Sequence, residues 1–149
     1  RMIRDLPADF ISLCLGINVY GGSTMSARTF RAAVIGLIEI IREKHPETPI
    51  AVVSPIISPP REEKPNSVGF TLQAIRSEVH EAVLALQAHG DKRLHYTDGR
   101  EILGRADAQE HMPDNLHPDA EGYRIMGRRF DEKVVKPLLG IYHGLRSGA

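Results

Sequence analysis

The run Asp114-Asn115-Leu116-His117-Pro118 sets an aspartate three residues ahead of a histidine. On a tight turn, that spacing lets the carboxylate accept the imidazole Nδ1 proton and leaves Nε2 free to act as a general base in a pocket. The spacing alone is cheap: the chain's aspartates and histidines would produce about 0.4 such pairs by chance. Asp114 as a plain turn former, with His117 as a helix-start residue, is the bland alternative. His111 falls three residues before Asp114, which would allow nitrogen and oxygen ligands on a metal. Pro113 and Pro118 interrupt the continuous helix that such a site needs, and His45, His80, His89, His95 and His143 have no matching pattern. Those five histidines read as surface or helix-end residues, and no metal site is expected.

The elements that must position this pair follow from periodicity. Phe10 to Gly16 is a short apolar run closed by glycine without a period of two, which predicts a strand buried on both faces, with Cys14 as a small core residue. Phe30, Val34, Leu37 and Ile41 recur at helical spacing and predict an amphipathic helix ending before Pro46, with Ser23 in the turn or cap that precedes it. Ile50 to Val53 predicts a second buried strand. The loop from Ser54 to Asn66 carries four prolines and the charged run Arg61 to Lys64, and is read as too stiff and polar for core. Leu72, Ile75, Val79, Val83 and Leu86 predict a second helix stopping at Gly90. Arg93 to Thr97 is a weaker third strand. A long loop from Asp98 to Leu116, holding a short helical turn around Ile102 to Ala108, leads to a last helix opening near Pro118 with Tyr123, Met126, Phe130 and Val134 on one face. Gly140 and a Gly/Ser tail over 141–149 finish the chain.

Strand and helix alternate three times, which predicts an α/β fold in which helices cover a parallel sheet on both faces. Ligands in such sheets bind at the carboxyl ends of the strands, so the loops starting at Asn18, Ser54 and Asp98 are expected to share one edge. A chain of 149 residues suits one domain. Nineteen basic and nineteen acidic residues cancel, which removes the electrostatic footprint of a nucleic-acid or anionic-membrane binder. One cysteine allows no internal disulfide and no cysteine-rich zinc site. The longest apolar stretch, Val34 to Ile41, is interrupted by Glu39 and is too short to span a bilayer. The compartment is left open.

Asp114-x-x-His117-Pro118-x-x-x-Gly122-Tyr123, taken together with Gly16-Ile17-Asn18 after the first strand, resembles the SGNH or GDSL-type serine esterases and acylhydrolases. The last motif of that family is Asp-x-x-His before the final helix, and its third is Gly-x-Asn-Asp after a central strand. The resemblance runs from about Pro7 to Leu139. It implies a three-layer α/β/α sandwich with a flavodoxin-like parallel sheet, of which residues 1–140 supply the later strands. It further implies His117 as general base, Asp114 as its orienting carboxylate, and Gly16 and Asn18 as oxyanion or substrate-binding residues. The chemistry implied is hydrolysis or transfer of an acyl group from a small-molecule ester, with no metal or organic cofactor. An asparagine amide at a strand's carboxyl end suits the donor role, because a tetrahedral intermediate needs preorganised donors about 3 Å from its O⁻.

Two departures shape the expectation. Val19 stands where the family has an acidic residue, and the Gly-Asp-Ser nucleophile motif and the second motif's glycine are missing. Ser54 is followed by Pro55, which has no N–H for an oxyanion, and Ser23 suits a turn. The nucleophilic serine is therefore expected upstream of Arg1, with about two strand–helix units. The sheet edge left open is expected to be covered by an N-terminal segment, another chain or a dimer partner. The alternative from a different class is a degenerate, non-catalytic esterase-fold module that binds a glycan or an acylated ligand.

Overall fold

A computed structural model describes residues 2–140. Three parallel strands, β1 (Ile11–Cys14), β2 (Ile50–Val53) and β3 (Leu94–Thr97), form a sheet in the order β1-β2-β3. The register sets Cys14 beside Val53 and Val53 beside Thr97. The segments that follow the three strands therefore leave from one edge, as the parallel pattern requires.

The chain divides into two units. The first, residues 1–55 and 60–98, contains the sheet with α1 (Met2–Asp5), α2 (Ile17–Gly22), α3 (Ala27–Arg42) and α4 (Leu72–Ala88). Period-two alternation aims Ile11, Leu13, Ile50, Val52 and Leu94 at one face of the sheet, where α3 and α4 complete the core. The predicted stripe of α4 is buried throughout, and its N-terminus is capped by Thr71, whose hydroxyl accepts the Ala74 N–H at 3.1 Å. In α3 the buried set is Phe30, Val34, Ile38 and Ile41, with Ile38 taking the place expected for Leu37. Phe30 meets Phe70 edge to face, with ring centroids 5.8 Å apart.

Three expectations are corrected here. β1 is not buried on both faces: Ser12 and Cys14 are exposed, so Cys14 is not a core residue. Ile11 and Leu15 spend their amides on Pro49 and Val53 carbonyls of the β2 side. The backbone groups of Ser12 and Cys14 consequently face the other way, where no strand pairs with them among the described residues. His45 stands just past the end of α3, its amide donating to the Ile41 carbonyl, but it is buried rather than at the surface, with Nδ1 3.4 Å from Thr48 Oγ1. Most importantly, the proline-rich loop is not all solvated, since Ser54, Pro55 and Glu62 are buried.

The reason is Arg76. Its apolar stem lies beside the buried face of α4, and its guanidinium donates to Glu62 Oε1 and Oε2 at 2.7 and 2.6 Å and to the Pro55 carbonyl at 2.7 Å. A planar fork with fixed donors lets the loop bring a carboxylate and a carbonyl into the interior with both satisfied.

The second unit comprises Ile56–Pro59 and the chain from Gly99 onward. It holds α5 (Gly99–Ile102), α6 (Arg105–His111) and α7 (Ala120–Phe130), followed by a π-helical turn (Asp131–Val135) and further helix to residue 140. The expected single helical turn is thus two short helices. Ile57, Leu103, Ala108 and Met112 form this unit's cluster, with Ile125 and Met126 packed against it. Arg129 on α7 donates to both oxygens of Asp107 and to the Ile102 carbonyl, joining three helices. Tyr123 was expected on the buried stripe but is 57% exposed. Val134, in the π turn, is buried as expected. The tail at 141–149 lies outside the described residues.

Candidate active site

In the second unit, the loop between α6 and α7 brings Asp114 and His117 together. Asp114 Oδ1 accepts the Leu116 and His117 backbone amides at 2.9 and 2.6 Å, an Asx turn that folds the chain back on the aspartate. Asn115 sits at the centre with φ 57°, a conformation asparagine tolerates better than most residues. The other oxygen, Oδ2, lies 2.7 Å from His117 Nδ1. A carboxylate can only accept, so Nδ1 is the donor, and in the neutral ring of that tautomer Nε2 presents its lone pair. The His117 amide, the His117 ring and the Leu116 amide, in that order, hold the Asp114 carboxyl far below the usual carboxylate range. Both side chains are open to solvent, His117 at 69% and Asp114 at 53%.

The start of α7 is fixed just beyond. Asp119 caps it by accepting the Gly122 amide at 2.7 Å, and the Asp119 amide donates to the His111 carbonyl at 2.8 Å. A side chain at position 122 would meet Pro118 Cβ at 2.9 Å and His111 Cβ at 3.1 Å. The glycine of the His-Pro-x-x-x-Gly-Tyr run is therefore where helix and turn touch. His111 pairs with Asp119, 3.4 Å away, rather than joining Asp114 and His117. No group of three or more potential metal-binding side chains is present among the described residues.

In the first unit, Gly16 and Asn18 stand just past the carboxyl end of β1. Gly16 is buried at φ 121° and begins α2, with its carbonyl accepting the Tyr20 amide at 3.0 Å. A Cβ there would lie 2.4 Å from Ile75 Cγ2 and 2.8 Å from Pro55 Cγ, so sterics and backbone both demand glycine. Asn18, two residues on in the first turn of α2, is exposed. Val19 packs with Ile17 against the apolar core. Ser54 is fully buried with its hydroxyl 3.0 Å from the Tyr96 hydroxyl, and Ser23 adopts a left-handed conformation at the end of α2. A cleft lined by Glu39, Arg42, Glu47, Asp91 and Arg93 lies at the amino ends of β2 and β3, and Arg42 is paired with Asp91 and Arg93 with Glu47.

The sequence reading missed Arg76, Glu62 and Ser58. For Arg76 a signal existed: the charge stands between Ile75 and Val79 on a helix whose apolar stripe runs through both.

Residues 2–125 match the model of the GDSL-like lipase/acylhydrolase family. Among solved structures, the salicylyl-acyltransferase of a tetracycline biosynthetic pathway is 34% identical, with a TM-score of 0.81 over 94% of this chain and 40% of its own. A GDSL-like lipase from Bacteroides ovatus is 22% identical, with a TM-score of 0.73 over 93% of this chain and 38% of its own. A Lactobacillus plantarum protein is 20% identical, with a TM-score of 0.68 over 88% of this chain and 69% of its own. The chain thus spans about two fifths of the length of the first two. No curated protein matches. The α/β fold with a parallel sheet, expected from element order, is the fold of these neighbours.

Proposed function

The chain belongs to the GDSL-like lipase/acylhydrolase family, and on that premise we propose that it carries the general base and one oxyanion donor of a Ser-His-Asp acyl-transfer site. Residues 1–140 then form the C-terminal part of one hydrolase domain. The observation that carries this reading is the 2.7 Å contact between His117 Nδ1 and Asp114 Oδ2, in a turn whose amides occupy the other carboxylate oxygen.

His117 Nε2 takes the proton of a serine hydroxyl as its oxygen attacks the ester carbonyl carbon. Asp114 keeps the imidazole in the required tautomer and stabilises the imidazolium. The Asn18 amide, carried past the end of β1 by the tight turn at Gly16, donates to the oxyanion. Collapse expels the alcohol with the proton from His117, and water or a second alcohol then removes the acyl group by the same base. The serine itself comes from outside these residues. That one relative is a salicylyl-acyltransferase supports transfer beside hydrolysis.

The test is turnover of a short-chain aryl ester by the intact polypeptide, with and without an acceptor alcohol. Asn18→Ala is expected to lower kcat by about 10²- to 10³-fold, the usual cost of one oxyanion donor. Undiminished turnover in that variant removes Asn18 from the mechanism. Failure of a fluorophosphonate to label the intact polypeptide favours the non-catalytic ligand-binding module instead.

The same reading gives the open edge of β1 a cover: a segment outside these residues, another chain or a second copy. Unpaired strand edges invite aggregation. Slow amide exchange at Ser12 and Cys14 in the intact polypeptide is the expected sign, and rapid exchange in a stable monomer contradicts it.

A further inference from the structure

We propose that Ser58 is a positioning residue for the Asp114–His117 pair, locking through the Asn115 carbonyl the turn on which that pair is built. The proposal rests on the reading of His117 as general base. Ser58 is 1% exposed, and its hydroxyl donates to the Asn115 carbonyl at 2.7 Å.

That bond reaches the catalytic carboxylate through one rigid body. The peptide joining Asn115 to Leu116 is planar, so its C=O and N–H are fixed back to back. The carbonyl side accepts from Ser58, and the amide side, Leu116 N–H, donates to Asp114 Oδ1 at 2.9 Å. Holding the carbonyl thus aims the amide. The amide in turn fixes the carboxylate that carries His117 on its other oxygen. Asn115, in its left-handed conformation, is the residue whose rotation would swing this plane.

Ser58 can do this because it is itself anchored. Its neighbour Ile57 is buried against Leu103, Ala108 and Met112, and the Ile57 amide donates to the Leu103 carbonyl at 3.2 Å. Met112, in the same cluster, accepts the Asn115 amide at 2.9 Å. The loop is exposed where the imidazole stands and is pinned from the buried side at residues 112 and 115. A solvent-facing pair needs such supports to keep its geometry.

The test compares the intact polypeptide with Ser58→Ala and with Ser58→Cys, which keeps the volume but offers a much weaker donor. At about pH 4, near the ordinary aspartate value, the Asp114 carboxyl ¹³C resonance of the unmodified protein is expected at its fully ionised position. In Ser58→Ala it is expected to move toward the protonated position, and the far-downfield His117 Nδ1 proton is expected to weaken. Ser58→Cys is expected to fall between, and it carries the test if Ser58→Ala does not fold. kcat is expected to drop about 10- to 100-fold in Ser58→Ala with KM unchanged, as for a small misplacement of a catalytic group. Unchanged Asp114 and His117 resonances in a folded variant overturn the proposal. Normal turnover in His117→Ala would instead overturn the general-base reading, leaving the resonance test of Ser58 standing.

Discussion

Replacing His117 by alanine in the intact polypeptide is expected to lower kcat/KM for a short-chain ester by at least about 10⁴-fold, the range seen when a triad loses its base. The loss should be nearly all kinetic. With its side chain 69% exposed, His117 contributes little packing, so the melting temperature is expected to stay within the scatter of ordinary surface substitutions. Asp114→Asn is the more discriminating variant. Its side-chain oxygen can still accept the Leu116 and His117 amides and keep the turn, but the neutral amide no longer holds Nδ1 protonated. A loss of about 10⁴-fold with an intact fold is the expected result.

The pH dependence follows with its sign. Asp114 has a folded pKa below its unfolded one, so the stabilisation it brings is present above the unfolded value and is lost as the pH falls through the folded value. Loss of activity on the acid side above about pH 4 therefore does not report protonation of Asp114. Steady-state kinetics paired with circular dichroism checks all of this. Equal turnover in Asp114→Asn and the unmodified protein would reject the aspartate's role.

What could be read from the residues divides by range. The strands and long helices were legible because their periods are local, and Asp114 with His117 was legible because three residues of turn suffice to join them. Ser58 and Asn115 meet across 57 positions and Arg76 and Glu62 across 14, and no short-range pattern encodes such pairings. The reading of the Ser54 to Asn66 loop as too polar for core has the same origin. Charge alone signals solvent, and only the partner, one helix away, turns Glu62 inward. β1 was misjudged for a related reason: Ser12 and Cys14 are small enough to pass for buried residues, and whether a strand's second face is covered depends on elements distant in sequence. His45 was judged by its place near a helix end, whereas the Thr48 side of that turn folds over it. The glycines fare in between. Gly16 and Gly122 stand out in their motifs, but that they are contact points against Pro55 and Ile75, and against Pro118 and His111, is visible only in three dimensions.

The second large effect is expected at that ion pair. Glu62→Ala should destabilise the fold by about 3–5 kcal/mol, because it removes a carboxylate that takes two nitrogens of a guanidinium only 4% exposed. For a chain of this size that corresponds to a fall in melting temperature of roughly 10 °C or more. Arg76→Lys should recover only a small part of Arg76→Ala, since an ammonium cannot span both Glu62 oxygens and the Pro55 carbonyl at once. The double variant Arg76→Met with Glu62→Leu separates charge from architecture. It removes both ions and should regain most of the stability, yet the Pro55 carbonyl loses its guanidinium donor. Pro55 is one of the two side chains that close on Gly16, where the chain turns toward Asn18. The double variant is therefore expected to melt near the unmodified protein while losing turnover as Asn18→Ala does. Chemical denaturation and ester kinetics on the same samples decide it. A single variant at Glu62 within 1 kcal/mol of the unmodified protein, on the scale of an exposed pair, would mean that the pair is not what holds the loop inward.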